Sequence, residues 1–357
     1  MQRKSWLTNS ISLPFIHLGQ IVNAACGPLV MAPVSQLSCL WFGTNERTRA
    51  TSAALVASNL GPTFGFLISP YIVSKPDNVP YLLFFHVDLA FVACVLTLLY
   101  FPSVPPSPPS PAAELLIYHP LSEEQGAHVR LYLRNVWQCL STPSFLLLSL
   151  AAGIMGGTLA AWTGLLTTIL APMNYTEKQA GWVGFGNYLA TMAGSSLMGV
   201  IADRRRFQYK LKFLILFSLI CCFLCIAWFQ LGVRTLFYEE PVLKLSIPTI
   251  ALSISMTGLF FGAASPLMYE CLAEIMHPLP ESLSASILVQ WSNTTALILI
   301  SIAPRRYKLM NLLVLIMAGM AIVMVCFVKV QYKRKDEDKR KILDQKQLGV
   351  DSRIGSL

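Results

Sequence analysis

Long apolar segments separated by short polar ones run along most of the chain. A helix needs roughly 20 mainly apolar residues to span a bilayer. Lipid offers backbone groups no hydrogen-bond partners outside a helix or a closed barrel, so each long segment is expected to be a helix. The pattern predicts an all-α membrane protein whose spans are 11–41, 47–73, 80–101, 144–171, 180–202, 211–233, 246–276, 283–303 and 308–330.

Composition agrees with the apolar pattern. Hydrophobic residues make up 54% of the 357 residues and charged residues only 13%, whereas soluble domains carry about 25% charged residues. The net charge of +9 is concentrated in the terminal segment, since nine of the 27 basic residues lie at or beyond Lys329. We interpret 331–357 as a solvated cytoplasmic tail with an affinity for anionic lipid. The expected partners are the lipid bilayer and a small-molecule substrate, and no nucleic acid.

The cysteine pattern does not predict a metal site. Cys222 and Cys225 have zinc-like spacing, but they lie inside an apolar span without a second pair or a nearby histidine. Structural zinc sites require four ligands. No nucleophile with a base partner and no cofactor motif is present in the sequence. We therefore expect no metal, no cofactor and no enzymatic activity.

The basic residues predict the orientation of the spans. Of the two alternating sets of connections, one carries 18 basic residues, including Arg47, Arg204 and the tail, and the other carries nine. The first set is cytoplasmic by the positive-inside rule. The sequon at Asn174 then lies in an outward loop, where it could be glycosylated. Nine spans with a cytoplasmic C-terminus place the N-terminus outside, so we expect an odd number of helices upstream, absent because of a truncated isoform or an incomplete gene model.

A proline-rich break divides the spans. Residues 102–143 contain a proline cluster, which favours a polyproline II linker over an SH3 ligand. Ser122 and Gln125 form a capping box, so 122–140 is predicted to be a helix along the inner membrane surface. Three spans precede the break, in an incomplete N-terminal half (1–101), and six follow it, in a C-terminal half (144–330). Two six-helix halves would require three more helices at the start.

The stretch GVIADRRRFQYK (199–210) occupies a tight cytoplasmic turn. Its glycine, acid and first arginine resemble the G-x-x-x-D-R-x-x-R/K loop of the major facilitator superfamily. Asp203 can accept hydrogen bonds from the N-terminus of the helix that begins near Arg47 and Arg49. We predict that Asp203, Arg204 and Arg47 belong to a gate that closes the cytoplasmic side.

Carboxylates inside spans are a second candidate for chemistry. Glu270 and Glu274 share a helical face near the cytoplasmic end, and an ionised carboxylate there must face protein, water or a basic partner. Three interpretations remain: gating contacts with the arginine-rich loops, proton coupling through Glu270, or simple interfacial solvation. Asp88 is a further candidate for coupling, or a cap at the outer interface.

Glycine pairs suggest helix packing. Gly61-x-x-x-Gly65 lies in a Gly-Pro-x-x-Gly stretch that resembles part of the exchanger pattern of the superfamily, but a kink and a small packing surface explain it equally well. Gly258-x-x-x-Gly262 is interpreted as a packing surface alone.

Several stretches are similar to solute carrier family 49, the feline leukaemia virus subgroup C receptor-related transporters. They include Trp41-Phe42-Gly43, the proline linker and the segment from Glu270 to Glu281. The member-three branch is the nearest by this resemblance, followed by the disrupted-in-renal-carcinoma branch. The resemblance implies a major facilitator bundle with about nine of twelve transmembrane helices present. It also implies uniport or proton-linked movement of choline, haem or pyridoxine-type metabolites.

Polar residues near the middle of the spans are candidates for the substrate cavity. An amide inside a span can equally make an interhelical hydrogen bond. Asn59 and Asn293 stand where the resemblance places glutamines of the choline transporters. The nominated cavity residues are Gln20, Asn23, Asn59, Trp162, Asn187 and Asn293.

The leading hypothesis is a multi-pass transporter of a small organic solute that works by alternating access, in the plasma membrane or the lysosomal membrane. The alternative is a truncated, non-transporting membrane protein that regulates or pairs with a full-length transporter.

Overall fold

The chain is described from a computed structural model. The described residues are 14–15, 18–19, 21–23, 27, 33–43, 46–110, 113–114, 117, 125–204, 206–236, 242–243, 246–302, 307–337 and 339–340.

The described part of the chain is helical, without a strand. Two short 3-10 turns, Pro76–Asn78 and Ala171–Met173, lie in connections. The α-helices are α1 (Pro33–Trp41), α2 (Arg47–Ile72), α3 (Val79–Leu99), α4 (Gln125–Ser141), α5 (Pro143–Gly164), α6 (Leu166–Leu170), α7 (Glu177–Ala202), α8 (Leu211–Leu231), α9 (Ile247–Met276), α10 (Glu281–Ile302) and α11 (Tyr307–Phe327).

The predicted spans correspond to these helices, with three differences. Seven helices in the described residues are long and apolar enough to cross a membrane: α2, α3, α5 and α8 to α11. Helix α7 is long enough to cross a membrane but is more polar than these seven helices. Its buried residues include several glycines and polar side chains, which pack against neighbouring helices. The span predicted at 144–171 breaks after Gly164 into α5 and the short α6. The span predicted at 11–41 lies partly outside the described residues, with α1 at its end.

Helix α9 is the centre of the bundle and packs along α7 and α8. Small residues allow the close approach of α7 and α9. A Cβ atom added to Gly194 would lie 1.9 Å from the carbonyl oxygen of Leu259, and one added to Gly262 would lie 2.1 Å from that of Thr191. Gly258 is equally confined by Asn187. The packing interpretation of Gly258-x-x-x-Gly262 is therefore confirmed.

The two predicted halves meet where α2 packs against α7. Gly184 lies against the ring of Phe66, and Gly199 lies against Ser52, so that a Cβ atom on Gly199 would be 2.4 Å from the Ser52 hydroxyl oxygen. The other glycine pair of α2 behaves differently. Neither Gly61 nor Gly65 has a described atom within 4 Å of an added Cβ, so the packing surface predicted for that pair is not formed by the described residues.

Two helices lie at the margin of the bundle. No described side chain of α3 is buried, although this helix is 21 residues long and strongly apolar. Helix α4 is present within the predicted interfacial segment, and Leu133 and Trp137 on it are exposed. Its capping box at Ser122 lies outside the described residues. The placement of α4 on a membrane surface stays a prediction.

Candidate transport cavity and gate

A cavity of about 200 Å³ lies between α2, α5, α7 and α9. No charged side chain lines it among the described residues. Aromatic and apolar surface comes from Trp162, Tyr188 and Phe261 together with Leu55 and Leu159. The polar lining consists of amides and hydroxyls: Ser58, Asn59, Thr163, Asn187, Thr191, Ser195, Thr257 and Ser265.

Trp162 and Asn187 were both predicted to line such a cavity, and they lie on facing helices. Trp162 is 0% exposed, and its ring packs edge-on against Phe229 with 5.0 Å between ring centroids. The Trp162 indole N–H and the Ser195 hydroxyl are buried without a hydrogen-bond partner among the described residues. The Asn187 amide group donates to the Thr163 hydroxyl oxygen at 3.4 Å. Asn187 therefore makes the interhelical bond that the alternative interpretation expected and also borders the cavity.

Asn59 lies in the cavity wall as predicted, but its amide is engaged with its own helix. The Asn59 side-chain N–H donates to the Leu55 backbone carbonyl at 2.9 Å, and the Thr63 hydroxyl donates to the Asn59 backbone carbonyl at 2.6 Å. The side-chain carbonyl oxygen and the second N–H of the Asn59 amide remain available for a ligand.

Other nominated residues are not in the cavity. Asn293 on α10 is exposed and does not line it, because the neighbouring Trp291 and Ser292 form the surface of α10 that packs on α5. Asn23 is also exposed. Asp88 lies on α3 and is exposed, in a stretch with no buried neighbour on its helix. Gln20 lies outside the described residues.

Asp203 makes the predicted contact with the start of α2. The Arg49 backbone N–H donates to Asp203 Oδ2 at 3.0 Å, and Arg49 Nε lies 3.6 Å from the same oxygen. Asp203 is 8% exposed, at the end of α7. Burial raises the pKa of Asp203, and hydrogen bonds from Thr48 and from the Arg49 backbone offset only part of that effect. Gly199, one turn earlier, is the residue that lets α7 approach α2 closely enough for this contact.

The other arginines of the predicted gate are placed differently. Arg47 is 2% exposed, and its guanidinium donates to the Ser110 hydroxyl in the proline-rich segment at 2.9 Å. It therefore binds the linker, whereas the sequence predicted that it would face Asp203. Its backbone carbonyl accepts from Ser38 on α1. Arg204 is exposed.

The glutamates near the end of α9 form a buried cluster with an arginine that the sequence analysis missed. Arg334 is 1% exposed, and its three guanidinium nitrogens each donate to a different carboxylate. Nε binds Glu274 at 3.2 Å, Nη1 binds Glu281 at 2.5 Å and Nη2 binds Glu270 at 2.5 Å. The expected basic partner of Glu270 and Glu274 thus comes from the tail, and the arginine-rich loops do not supply it.

Glu270 also bonds across to α2. Its Oε1 accepts from the Thr51 hydroxyl at 2.7 Å, while its Oε2 accepts from Arg334. Both oxygens of a buried carboxylate are therefore occupied, as a buried charge requires. Burial alone would lower the pKa of Arg334, but the carboxylates of Glu281, Glu270 and Glu274 raise it well above its ordinary value.

Neighbouring tail residues also contact the bundle, so the prediction of a solvated tail is wrong for its described beginning, 331–337. The Tyr332 hydroxyl accepts from the Leu211 backbone N–H at 3.1 Å. Lys335 donates through its backbone to Glu274 and through Nζ to the Gln208 carbonyl. The His277 Nε2 atom lies 2.7 Å from Glu337 Oε2. Charge attraction and hydrogen bonding offset the cost of ordering these side chains.

No group of three or more His, Cys, Asp and Glu side chains with a geometry suited to a metal is found within the part of the chain that the structure describes. The Cys222 thiol contacts the Thr257 carbonyl at 3.6 Å and acts as a small packing residue between α8 and α9.

Comparison with known proteins adds to this geometry. The sequence profile of the Major Facilitator Superfamily matches residues 5–304. A solute carrier family 49 member 4 homolog from Xenopus tropicalis is 32% identical over 296 residues, which cover 78% of this chain and 61% of that protein. Solute carrier family 49 member A3 from Danio rerio is 27% identical over 76% of this chain and 53% of that protein.

A more distant relative is the human choline/ethanolamine transporter FLVCR2, which is 24% identical over 77% of this chain and 50% of that protein. The chain spans about half to three fifths of the length of these curated relatives. The predicted resemblance to solute carrier family 49 is confirmed, although the member 4 homolog is more similar than the member A3 protein that was placed first.

Proposed function

Because the chain belongs to the major facilitator superfamily, with relatives in solute carrier family 49, we propose that it moves a small organic solute across a membrane by alternating access. The observation that carries the proposal is a cavity between α2, α5, α7 and α9, lined by aromatic rings, amides and hydroxyls, with hydrogen-bonded contacts at one end of it. We call this the Asp203 end, where α2 begins and α7 and α9 end.

The cavity chemistry supports a solute without net charge. A buried charge is costly unless it is paired, and the described lining offers amides, hydroxyls and aromatic faces but no charged side chain. Its volume of about 200 Å³ lies below the range of about 300–1,000 Å³ that drug-sized ligands occupy. A small heterocycle or polyol would lie against Phe261 and Tyr188 and bond through Asn187 and the threonines.

The Asp203 end supplies the gate of the proposed cycle. Asp203 binds the first turn of α2, and Glu270 binds Thr51 on the next turn. Both contacts join a helix of the first half to a helix of the second, so both must break for the halves to separate at this end. The distribution of basic residues supports the assignment of this end to the cytoplasm.

Uptake into proteoliposomes that contain the purified chain tests the proposal. Radiolabelled pyridoxine represents neutral solutes, and choline and ethanolamine represent cations. We expect saturable uptake of the neutral solute, and we expect it to be lost in Ala160→Phe, which adds a ring to the cavity wall. The matched control is Leu189→Phe, on the exposed side of α7.

Failure of all three solutes to enter, or equal uptake by wild type and Ala160→Phe, would contradict the cavity assignment. Uptake of choline or ethanolamine alone would contradict the neutral class while supporting transport.

A second function has one observation in its favour. Helix α3 has no buried side chain in spite of its strong apolarity, which fits a chain that packs against another membrane protein and does not transport by itself. Co-purification of this chain with a differently tagged full-length family member measures that association. A variant of α3 in which Phe84 and Phe91 are replaced by alanine should co-purify less.

A further inference from the structure

Arg334 lies outside the cavity and outside both cross-half contacts, yet it touches one of the residues that make them. Its Nη2 donates to Glu270 Oε2, and Glu270 Oε1 accepts from Thr51 on α2. The Glu270 carboxylate therefore connects the tail to α2 in the first half of the chain. The Arg334 contact with Glu274 stays within the second half, whereas Glu281 also lies beside the Cys39 thiol on α1.

The electrostatics of this cluster make the Thr51 bond depend on Arg334. Three carboxylates converge on one guanidinium that is 1% exposed. Carboxylates that share a buried site cannot all stay ionised without a counter-charge. If Arg334 left, Glu270 would take up a proton or turn towards solvent. Either change weakens the bond from Thr51, since a hydrogen bond to an ionised acceptor is about twice as strong as a neutral one.

The fork geometry of the guanidinium also orients the carboxylate. Arginine presents its donors in one rigid plane, so that holding Glu274 and Glu281 with Nε and Nη1 determines where Nη2 points. Nη2 in turn determines which oxygen of Glu270 remains available for Thr51. Lys335, the next residue, contributes differently: its backbone N–H binds Glu274, its Nζ binds the Gln208 carbonyl, and its charge attracts Glu270 from a distance without a hydrogen bond to it.

We propose that Arg334 is a positioning residue of the gate: it holds Glu270 ionised and oriented so that Thr51 can bond to it, and thereby stabilises closure at the Asp203 end. The inference rests on the proposed function, because it assigns Arg334 to that gate. It makes the tail segment 331–337 part of the conformational equilibrium, where the charge pattern alone predicted a solvated end.

Accessibility of the cavity from the Asp203 end tests the role of Arg334 without any substrate. A reporter cysteine is introduced as Ser58→Cys on α2, and Cys26, Cys94 and Cys326 are replaced by serine to lower the background. Inverted vesicles are then treated with a membrane-impermeant maleimide. Arg334→Gln is expected to raise the labelling rate about tenfold, as loss of a charge-assisted bond implies. Arg334→Lys, which keeps the charge without the fork, should give an intermediate rate.

A double-mutant cycle separates positioning from general stability. Thr51→Val removes the other bond to Glu270, so the double variant Thr51→Val/Arg334→Gln should label no faster than the faster single variant. Lys333→Gln, at an exposed position in the same tail segment, is the matched control and should label like wild type. If Arg334→Gln folds poorly, the same cycle is run with Arg334→Lys.

Multiplicative effects of the two substitutions, or a wild-type rate in the Arg334 variants, would overturn the inference. These outcomes are independent of transport. A chain that moves no solute can still pass the labelling test, and a competent transporter can fail it.

Discussion

Among single residues, Asp203 combines two opposing effects. Burial raises its pKa, so the ionised form is disfavoured in the fold, yet that form accepts the Arg49 N–H and attracts the Arg49 guanidinium. A buried charge of this kind is weak evidence for stability and fits a role in switching. Asp203 is therefore the residue at which stability and function are expected to separate.

Asp203→Asn should melt at the same or a higher temperature than wild type at pH 7, although its gate is weaker. The pKa of Asp203 is raised above its unfolded value, so its contribution to the free energy of unfolding is largest below the unfolded pKa and is lost as pH rises through the folded pKa. The side-chain amide in Asp203→Asn stays neutral at every pH, so its contribution to the free energy of unfolding does not fall as pH rises. Thermal melts of the purified protein across a pH series measure this, and the difference between the two proteins should shrink as pH falls.

The same substitution is expected to raise labelling of the Ser58→Cys reporter about threefold, since a charge at a helix N-terminus contributes about 0.3–1 kcal/mol. Arg204→Gln, a neighbouring exposed position, is the control. Asp203 would be only a marker of the membrane boundary if labelling and uptake were both unchanged in Asp203→Asn.

Among helices, glycine placement decides which pairs pack closely. Gly194 lies on the α7 surface that meets α9, and a Cβ atom there would overlap the Leu259 carbonyl. Gly65 on α2 has no described atom within reach. The two positions look alike in sequence, since each lies inside a 26-residue helix.

Gly194→Ala should therefore destabilise the protein by about 1–3 kcal/mol, the usual cost of overpacking. Gly65→Ala should be neutral or more stable by roughly 0.5–1 kcal/mol, because alanine favours a helix over glycine. Thermal melts of the two variants in detergent provide the comparison. Equal destabilisation by both substitutions would contradict the packing of α7 on α9.

In the whole molecule, α7 separates two ends with different chemistry. Asn174 is exposed and lies just before α7, whereas Asp203 follows it. A helix of 26 residues spans about 39 Å at 1.5 Å per residue, enough to cross a bilayer. We therefore predict that the sequon and the tail lie on opposite sides of the membrane.

In mammalian cells the protein is expected to carry one glycan, so glycosidase treatment should lower its apparent mass on a gel by the mass of one glycan. The heavier form should be absent in Asn174→Gln. An epitope tag after Leu357 should be reached by antibody only when the membrane is permeabilised. A tag accessible on intact cells expressing a glycosylated chain would contradict the orientation proposed for the Asp203 end.

The sequence by itself determined the helices and much of their chemistry, because the demand for apolar residues in lipid acts locally along the chain. It predicted α2, α3 and α8 to α11 within a few residues, and it placed Asp203 against the start of α2 through a short motif. It also nominated Trp162, Asn187 and Asn59, which the fold brings to one cavity.

Only the tertiary structure decided which side chains face inward and where the tail binds. Asn293 has the same residue type as Asn187, but the rotation of α10 turns it outward. Arg334 reads as one more charge in a basic tail, and its partners lie 53 to 64 residues away along the chain. No local pattern contains such contacts, because they arise when separate helix ends bring three carboxylates together and only a buried cation can balance them.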